Sequence, residues 1–191
     1  MGSNCVITNG LALTSCVNNV PGIEALWVLT TTGNTAEITS ITYSGNGQID
    51  EFSASTQDTE FKKIDVVRNS SAALNESVAI NLESLGFDYQ TQLIFTIPGV
   101  YQDGTNLYQE IVQNTQSYFI VKLKTGKFFL ASPQGMYIES ATIASGSLPG
   151  DSQLYTITLT SSNTLSVPEV AVSTTLTAFL AANTNITIDR E

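Results

Sequence analysis

The chain has 191 residues, with 7 Lys and Arg against 17 Asp and Glu, so its formal net charge is −10, and it contains no histidine. Without an imidazole that titrates near neutral pH, His-based acid–base catalysis, Ser-His-Asp or Cys-His nucleophiles and His-ligated metals are excluded. The excess of carboxylates also argues against a broad basic face that binds nucleic acid.

The composition favours strands over helices. Ser and Thr supply 45 residues, and only 13% of the chain is charged. Thr suits a half-buried pleated surface, whereas Lys, Glu and Arg usually fill exposed helix faces. We therefore expect an all-β fold, a β-sandwich or half-barrel, with one short flanking α-helix.

The chain is expected to be made in the cytoplasm and to have no membrane association. Its apolar runs are all shorter than the roughly 18 residues of a membrane span. The first basic residue is Lys62, so the charged start of a secretory signal is not found.

Residues 1–22 lack a sustained period and are predicted to form an N-terminal arm that ends at Pro21-Gly22. The arm holds both cysteines, Cys5 and Cys16. They are either two free thiols packed as small hydrophobic side chains, or a disulfide that staples the arm. Two thiolates without histidine do not complete a structural zinc site, so no metal is predicted.

A β-sandwich body is predicted over residues 23–165, and its first strands are short and bounded by turn residues. The first predicted strand is Ala25–Thr30, an apolar run around Trp27, and the second is Ala36–Tyr43. The charged stretch Gln48–Arg68 is interpreted as either two strands or one long exposed hairpin.

Three further strands are predicted from strict alternation of apolar and polar residues. Their apolar faces, each expected to be buried, are Val78, Ile80 and Leu82; Leu93, Phe95 and Ile97; and Tyr155, Ile157 and Leu159.

A helix is predicted after Pro98-Gly99. Asp103 or Thr105 is its expected N-cap. The side chains expected on its buried stripe are Leu107, Tyr108, Ile111 and Val112.

A tight hairpin is predicted around the two-residue loop Thr125-Gly126. The side of its first strand that carries Ile120, Lys122 and Lys124 is expected to face solvent or to lie at a sheet edge that the lysines protect against association.

Residues 166–191 are predicted to form a C-terminal arm, with a short helix at Thr174–Ala182 and a strand at Ile186–Ile188. Either arm could pack on its own domain or on a neighbouring subunit.

No catalytic residue and no cofactor are predicted. Carboxylate pairs such as Asp50-Glu51 are interpreted as solvated strand edges, because no calcium-loop spacing accompanies them. An enzyme would have to rely on carboxylates, amines, thiols or hydroxyls alone.

The order of several motifs resembles a family of tailed-bacteriophage virion proteins that are taken to be tail tube subunits. The opening Cys5-Val-Ile-Thr8-Asn-Gly10 is followed by Cys16 and by Pro21-Gly22-Ile23. A Gly-containing hairpin ending in an aromatic strand, Ser145-Gly-Ser-Leu-Pro-Gly-Asp151 and a Tyr-Thr-Ile-Thr strand come later. The chain departs from the pattern at Pro21, where a Gly-Gly pair is more usual.

The resemblance implies hexameric rings whose sheets join into a common barrel and which stack into a hollow tube. Six copies at −10 would place roughly −60 on each ring, and such an acidic wall repels phosphate, so DNA would pass without specific binding. Expected partners are further copies of the chain and other virion proteins, and the expected location is the virion.

Edge strands completed by a neighbouring copy supply the expected mechanism of assembly. The hypothesis places the interface around both cysteines and the two groups of basic residues: Cys5, Cys16, Lys62, Lys63, Arg68, Lys122, Lys124 and Lys127. The alternative function is a secreted or surface adhesin or a carbohydrate-binding β-sandwich, which would show exposed aromatic residues on one face.

Overall fold

The computed structural model describes residues 22–31, 38–54, 59–64, 72–81, 86–98, 102–114, 116–145, 153–172, 175–181 and 186–189. These form twelve strands and two helices: β1 (Ile23–Thr31), β2 (Ile38–Tyr43), β3 (Ile49–Ala54), β4 (Thr59–Ile64), β5 (Ala73–Asn81), β6 (Gly86–Pro98), α1 (Gln102–Gln113), β7 (Phe119–Leu123), β8 (Phe128–Leu130), β9 (Tyr137–Ala144), β10 (Leu154–Asn163), β11 (Glu169–Val170), α2 (Leu176–Ala181) and β12 (Ile186–Ile188).

The strands form two sheets. A curled eight-stranded sheet has the order β12-β4-β1-β7-β8-β11-β3-β2, and a four-stranded sheet has the order β5-β6-β10-β9. The all-β prediction is confirmed, and a half-barrel packed on a second sheet is the architecture. The stretch predicted as two strands or a long hairpin is two strands, β3 and β4, which pair with β2 and β1 respectively and not with each other.

β1 is buried on both faces, which explains its continuous apolar run. Leu26 and Val28 pack toward the four-stranded sheet. Trp27 and Leu29 point into the curl of the large sheet, where Trp27 meets Phe128 with ring centroids 6.0 Å apart. A strand covered on both sides has no polar face, so its sequence does not alternate.

The core between the sheets contains two of the predicted apolar faces, which are confirmed as buried: Leu93, Phe95 and Ile97 from β6, and Tyr155, Ile157 and Leu159 from β10. These rows face Phe119 and Val121 of β7. Burying side chains of this size stabilises the fold by roughly 1.5–3 kcal/mol each.

Helix α1 closes one end of this core. Ile111 is buried, and the rings of Tyr108 and Tyr155 lie 4.8 Å apart. The hydroxyls of Thr105 and Tyr155 are hydrogen-bonded at 2.7 Å. The predicted stripe is wrong at Val112, which is 40% exposed. The side of the helix that packs against the core carries Leu107, Tyr108 and Ile111, and Val112 lies beyond its margin.

A second core fills the curl of the large sheet. Phe52 contacts both Phe61 and Phe179, and α2 contributes buried Leu176 and Leu180. The described part of the expected C-terminal arm therefore packs on its own domain. Its strand β11 lies between β8 and β3, and β12 pairs with β4.

The predicted hairpin is present as β7 and β8, but its loop has three residues, not two. The N–H of Leu123 donates to the carbonyl of Lys127 at 2.9 Å, and the N–H of Gly126 donates to the carbonyl of Leu123 at 2.8 Å. Gly126 has φ +84°, which glycine adopts without strain. The expectation of a solvent or edge face is wrong as well, because β7 lies between β1 and β8 and Ile120 is buried.

Candidate assembly interface

The four-stranded sheet leaves two long edges uncovered in the described part of the chain. β5 pairs only with β6, and β9 pairs only with β10. Neither edge strand contains a lysine or a proline, and the protective features they do carry are one glutamate each, Glu76 and Glu139, and a bulge in β9. Their unpaired backbone groups can therefore accept another strand.

All pairs within this sheet are antiparallel, and the number of strands is even. The two edge strands thus run in opposite directions. If a second copy is placed beside the first by rotation about an axis, its β5 meets β9 in antiparallel orientation. The sheet can therefore continue from copy to copy with every strand pair antiparallel.

The two edges are displaced along the strands. The centre of β9 lies opposite Ile157 of β10, whereas the centre of β5 is Ser77, which pairs with Gln90 and through it with Ser162. The displacement is five residues along β10, from 157 to 162. If such sheets were placed side by side with their strands perpendicular to the row, the edge strands would overlap only in part. In a closed barrel the strands are tilted, and the tilt can bring the displaced edges into register.

The outer face of the four-stranded sheet is mostly polar, and the large apolar side chains on it are Ile94, Tyr137 and Leu154. Thr156, Thr158 and Thr160 alternate with the buried row of β10, and the Gln92 amide donates to the Glu139 carboxylate at 2.9 Å across that strand. The four strands contain Glu76, Asp88 and Glu139 but no Lys or Arg.

The core-facing side of β5 carries apolar residues that the described part of the chain leaves uncovered. The prediction that Val78 and Ile80 are buried is wrong: they are 51% and 60% exposed, because β5 and β6 extend past the end of the core. Leu82 lies outside the described residues. On the opposite edge, Ile143 of β9 is 56% exposed on the same side of the sheet, opposite Tyr155. Sequence periodicity gave the correct face but could not give the length of the sheet beneath it.

Glu76 anchors the exposed part of β5 to the body. Its carboxylate accepts hydrogen bonds from the Ser166 hydroxyl at 2.8 Å and from the N–H of Val167 at 2.6 Å. These two contacts tie the edge strand to the segment that follows β10.

A buried polar cluster joins the two sheets near the same end. The Ser132 hydroxyl lies 2.8 Å from that of Ser161 and donates to the Asn163 side-chain oxygen at 2.9 Å. All three residues are buried. The inward row of β10 therefore changes from apolar to hydroxyl and amide groups where the core ends.

The two predicted groups of lysines lie at different places on the large sheet. Lys62 and Lys63 lie on β4, whereas Lys122, Lys124 and Lys127 surround the β7–β8 turn. Lys122 pairs with Glu24 at 2.9 Å, and Lys127 pairs with Glu169 at 2.8 Å.

Two of the lysines also contact aromatic rings. The ammonium of Lys63 lies 5.6 Å from the centre of the Trp27 ring, and that of Lys122 lies 5.7 Å from the Phe128 ring. Lys63, Lys122 and Lys127 therefore already contact acidic or aromatic side chains of their own chain. The other members of the predicted set, Cys5, Cys16 and Arg68, lie outside the described residues.

An open groove of about 560 Å³ lies on the large sheet, lined by Tyr43, Phe129 and Leu165 among others. Burial raises the pKa of the Tyr43 hydroxyl above its usual value. Within the described ranges, no group of three or more metal-ligating side chains is found, and no helix has the length and apolar character needed to cross a bilayer.

Comparison of the chain with protein-family models, with curated proteins and with solved structures gave no match.

Proposed function

We propose that this protein is a non-enzymatic structural protein of a virion, a tail tube subunit that forms stacked hexameric rings around a channel for DNA. The observation that carries the proposal is the four-stranded sheet, which is antiparallel, even in strand number, staggered and, among the residues that the structure describes, open at both edges. Such a sheet is suited to closing on copies of itself.

The stagger agrees with the tilt of closed barrels. An offset of five residues is roughly 16 Å along the strands, and four strands are roughly 19 Å wide, so full overlap of β5 with a neighbour's β9 corresponds to a tilt of about 40°. Barrels typically have strands tilted by about 35–45°. A ring can therefore close with both edges paired along most of their length.

Six copies would contribute 24 strands to the barrel. At this tilt and at the usual strand spacing the backbone diameter is about 50 Å, and side chains reduce the clear bore to about 40 Å. That bore is wider than a DNA duplex. The core-facing side of the sheet would be the outside of this barrel, where the large sheet already covers it.

The polar face of the sheet would then line the channel. Hydroxyls, amides and the carboxylates of Asp88 and Glu139 would face the DNA, with no cation from the four strands. Phosphate binding depends on Lys and Arg, so this wall would let DNA pass without holding it.

Electron microscopy of the purified protein in negative stain, combined with sedimentation velocity over a hundredfold concentration range, tests the proposal. Rings with a central opening, or tubes built from them, are expected. A compact monomer at every concentration would overturn it.

The alternative, an adhesin or carbohydrate-binding module, needs exposed aromatic residues on one face. In the described part of the chain the exposed aromatic residues are Tyr43 on the large sheet and Tyr137 on the small one. They do not share a binding platform, so the assembly function is favoured.

A further inference from the structure

We propose that the seam between neighbouring copies joins β5 to β9 with Val78 directly opposite Ala141 of the next copy. The inference rests on the proposed ring and adds the register of its contacts. It explains why apolar residues of β5 are left exposed on the core-facing side of the sheet.

Only even offsets are allowed at such a seam. Side chains alternate between the two faces of a strand, so a seam with an odd offset would place core-facing residues opposite channel-facing ones. The observed displacement of five residues between strand centres lies between offsets of four and six, which correspond to tilts of about 35° and about 45°.

The two offsets pair different residues. Within one chain, Ala141 lies opposite Ile157, and Val78 lies opposite Tyr89, which pairs with Asn163. Since Asn163 is six residues beyond Ile157, an offset of six brings Val78 to Ala141.

By the same reasoning, an offset of four brings Leu74 opposite Ile143. Ile143 pairs with Tyr155 of β10, whereas Leu74 pairs with Leu93 and through it with Leu159, four residues further on.

Burial favours the offset of six. Leu74 is already half-buried against the core, whereas Val78 and Ile80 are more than half exposed. An offset of six covers Val78 with Ala141 and carries Ile80 beside Ile138, next to the bulge in β9. It also places Ile143 opposite Glu76, whose carboxylate already accepts hydrogen bonds from Ser166 and Val167. An offset of four would leave Ile80 beyond Tyr137, where β9 begins.

Disulfide cross-linking tests the register. The cysteine pair Val78→Cys and Ala141→Cys is introduced into a background in which Cys5 and Cys16 are replaced by Ser. Directly opposite residues have Cα atoms about 4.5–5.5 Å apart, within the range for a disulfide, whereas diagonal neighbours lie about 7–8 Å apart.

Two control pairs are matched to this variant. Leu74→Cys with Ile143→Cys reports an offset of four, and Ala79→Cys with Ala141→Cys places one thiol on the wrong face. Within one chain, positions 78 and 141 are separated by β6 and β10, so the pair cannot close internally.

After mild oxidation of assembled rings, the 78–141 pair is expected to give a reducible ladder up to the full ring on denaturing gels, and neither control should. A ladder from the 74–143 pair instead would overturn the register while leaving the ring intact. Rings without any ladder would show that the seam lies elsewhere. If the unsubstituted protein forms no rings, the proposed function itself fails, and the register fails with it.

Discussion

Replacing Ile80 by Thr should weaken ring formation without disturbing the fold. Ile80 is 60% exposed in the single chain, so folding covers less than half of it and a neighbour would cover the remainder. Complete burial of an Ile side chain is worth roughly 1.5–3 kcal/mol, so the ring contact is worth about 1 kcal/mol at each interface. Thr keeps the β-branched shape that strands favour but loses this apolar contact.

A closed hexamer has six such interfaces. A loss of about 1 kcal/mol at each raises the concentration at which half the chains are assembled by roughly eightfold, because six interfaces are shared over five association steps. Mass photometry or sedimentation velocity across a dilution series measures this midpoint, and circular dichroism checks that the melting temperature is nearly unchanged.

Leu165→Thr is the matched control, because Leu165 is 57% exposed but lies outside the four-stranded sheet. Its ring midpoint should shift by less than about twofold, as surface substitutions away from an interface usually do. If Ile80→Thr leaves the midpoint of rings unchanged as well, the core-facing side of β5 is not at the interface, and the reasoning is refuted.

Three further predictions concern the channel and the core. Gln90→Lys places one cation per copy on the face proposed to line the channel. Rings of this variant should retard duplex DNA in a gel at low salt and release it near 200 mM salt, whereas unsubstituted rings should not bind DNA. Retardation of DNA by both proteins would contradict the proposal that the channel wall does not hold DNA. Tyr155→Phe removes the hydroxyl bonded to Thr105 and should cost about 1 kcal/mol, lowering the melting temperature by about 2–4 °C; no change would mean that this bond does not anchor α1. Ser132→Ala should cost about 1–3 kcal/mol in denaturant unfolding, because it leaves buried Asn163 with only the longer 3.4 Å hydrogen bond from the Ser161 hydroxyl and removes that hydroxyl's own partner. A stability equal to that of the unsubstituted protein would argue against the buried cluster as a tie between the sheets.

Alternation predicted β6 and β10 well because one face of each strand is fully buried and the other is less so. The rows ending at Ile97 and Leu159 are buried as expected, and the residues between them are half-buried except for Thr96, which is buried. The same rule is uninformative for β1 and wrong about burial for β5. Burial of β1 on both faces depends on the packing of two sheets around it, and the exposure of Val78 depends on where the partner sheet ends. Neither property can be read from the residues near that strand in the sequence.

The candidate interface was harder to predict than the fold. The clustering of positive charge predicts an interface at the lysines, but Lys122 and Lys127 form ion pairs with Glu24 and Glu169 of their own chain, which are distant in sequence. The edges of the four-stranded sheet were not identified, because edge status is a property of strand order. Lack of Lys and Pro in β5 and β9 was the available signal, and it becomes meaningful only once those strands are known to be outermost.

Hydrogen–deuterium exchange of dilute monomer and concentrated assembly tests ring closure through the small sheet most directly. If β5 and β9 of neighbouring copies pair, peptides covering residues 73–81 and 137–144 should gain strong protection on assembly, whereas β2, at an edge of the large sheet, should change little. Assembly that protects β2 and leaves both edges of the small sheet exchanging as in the monomer would contradict the account.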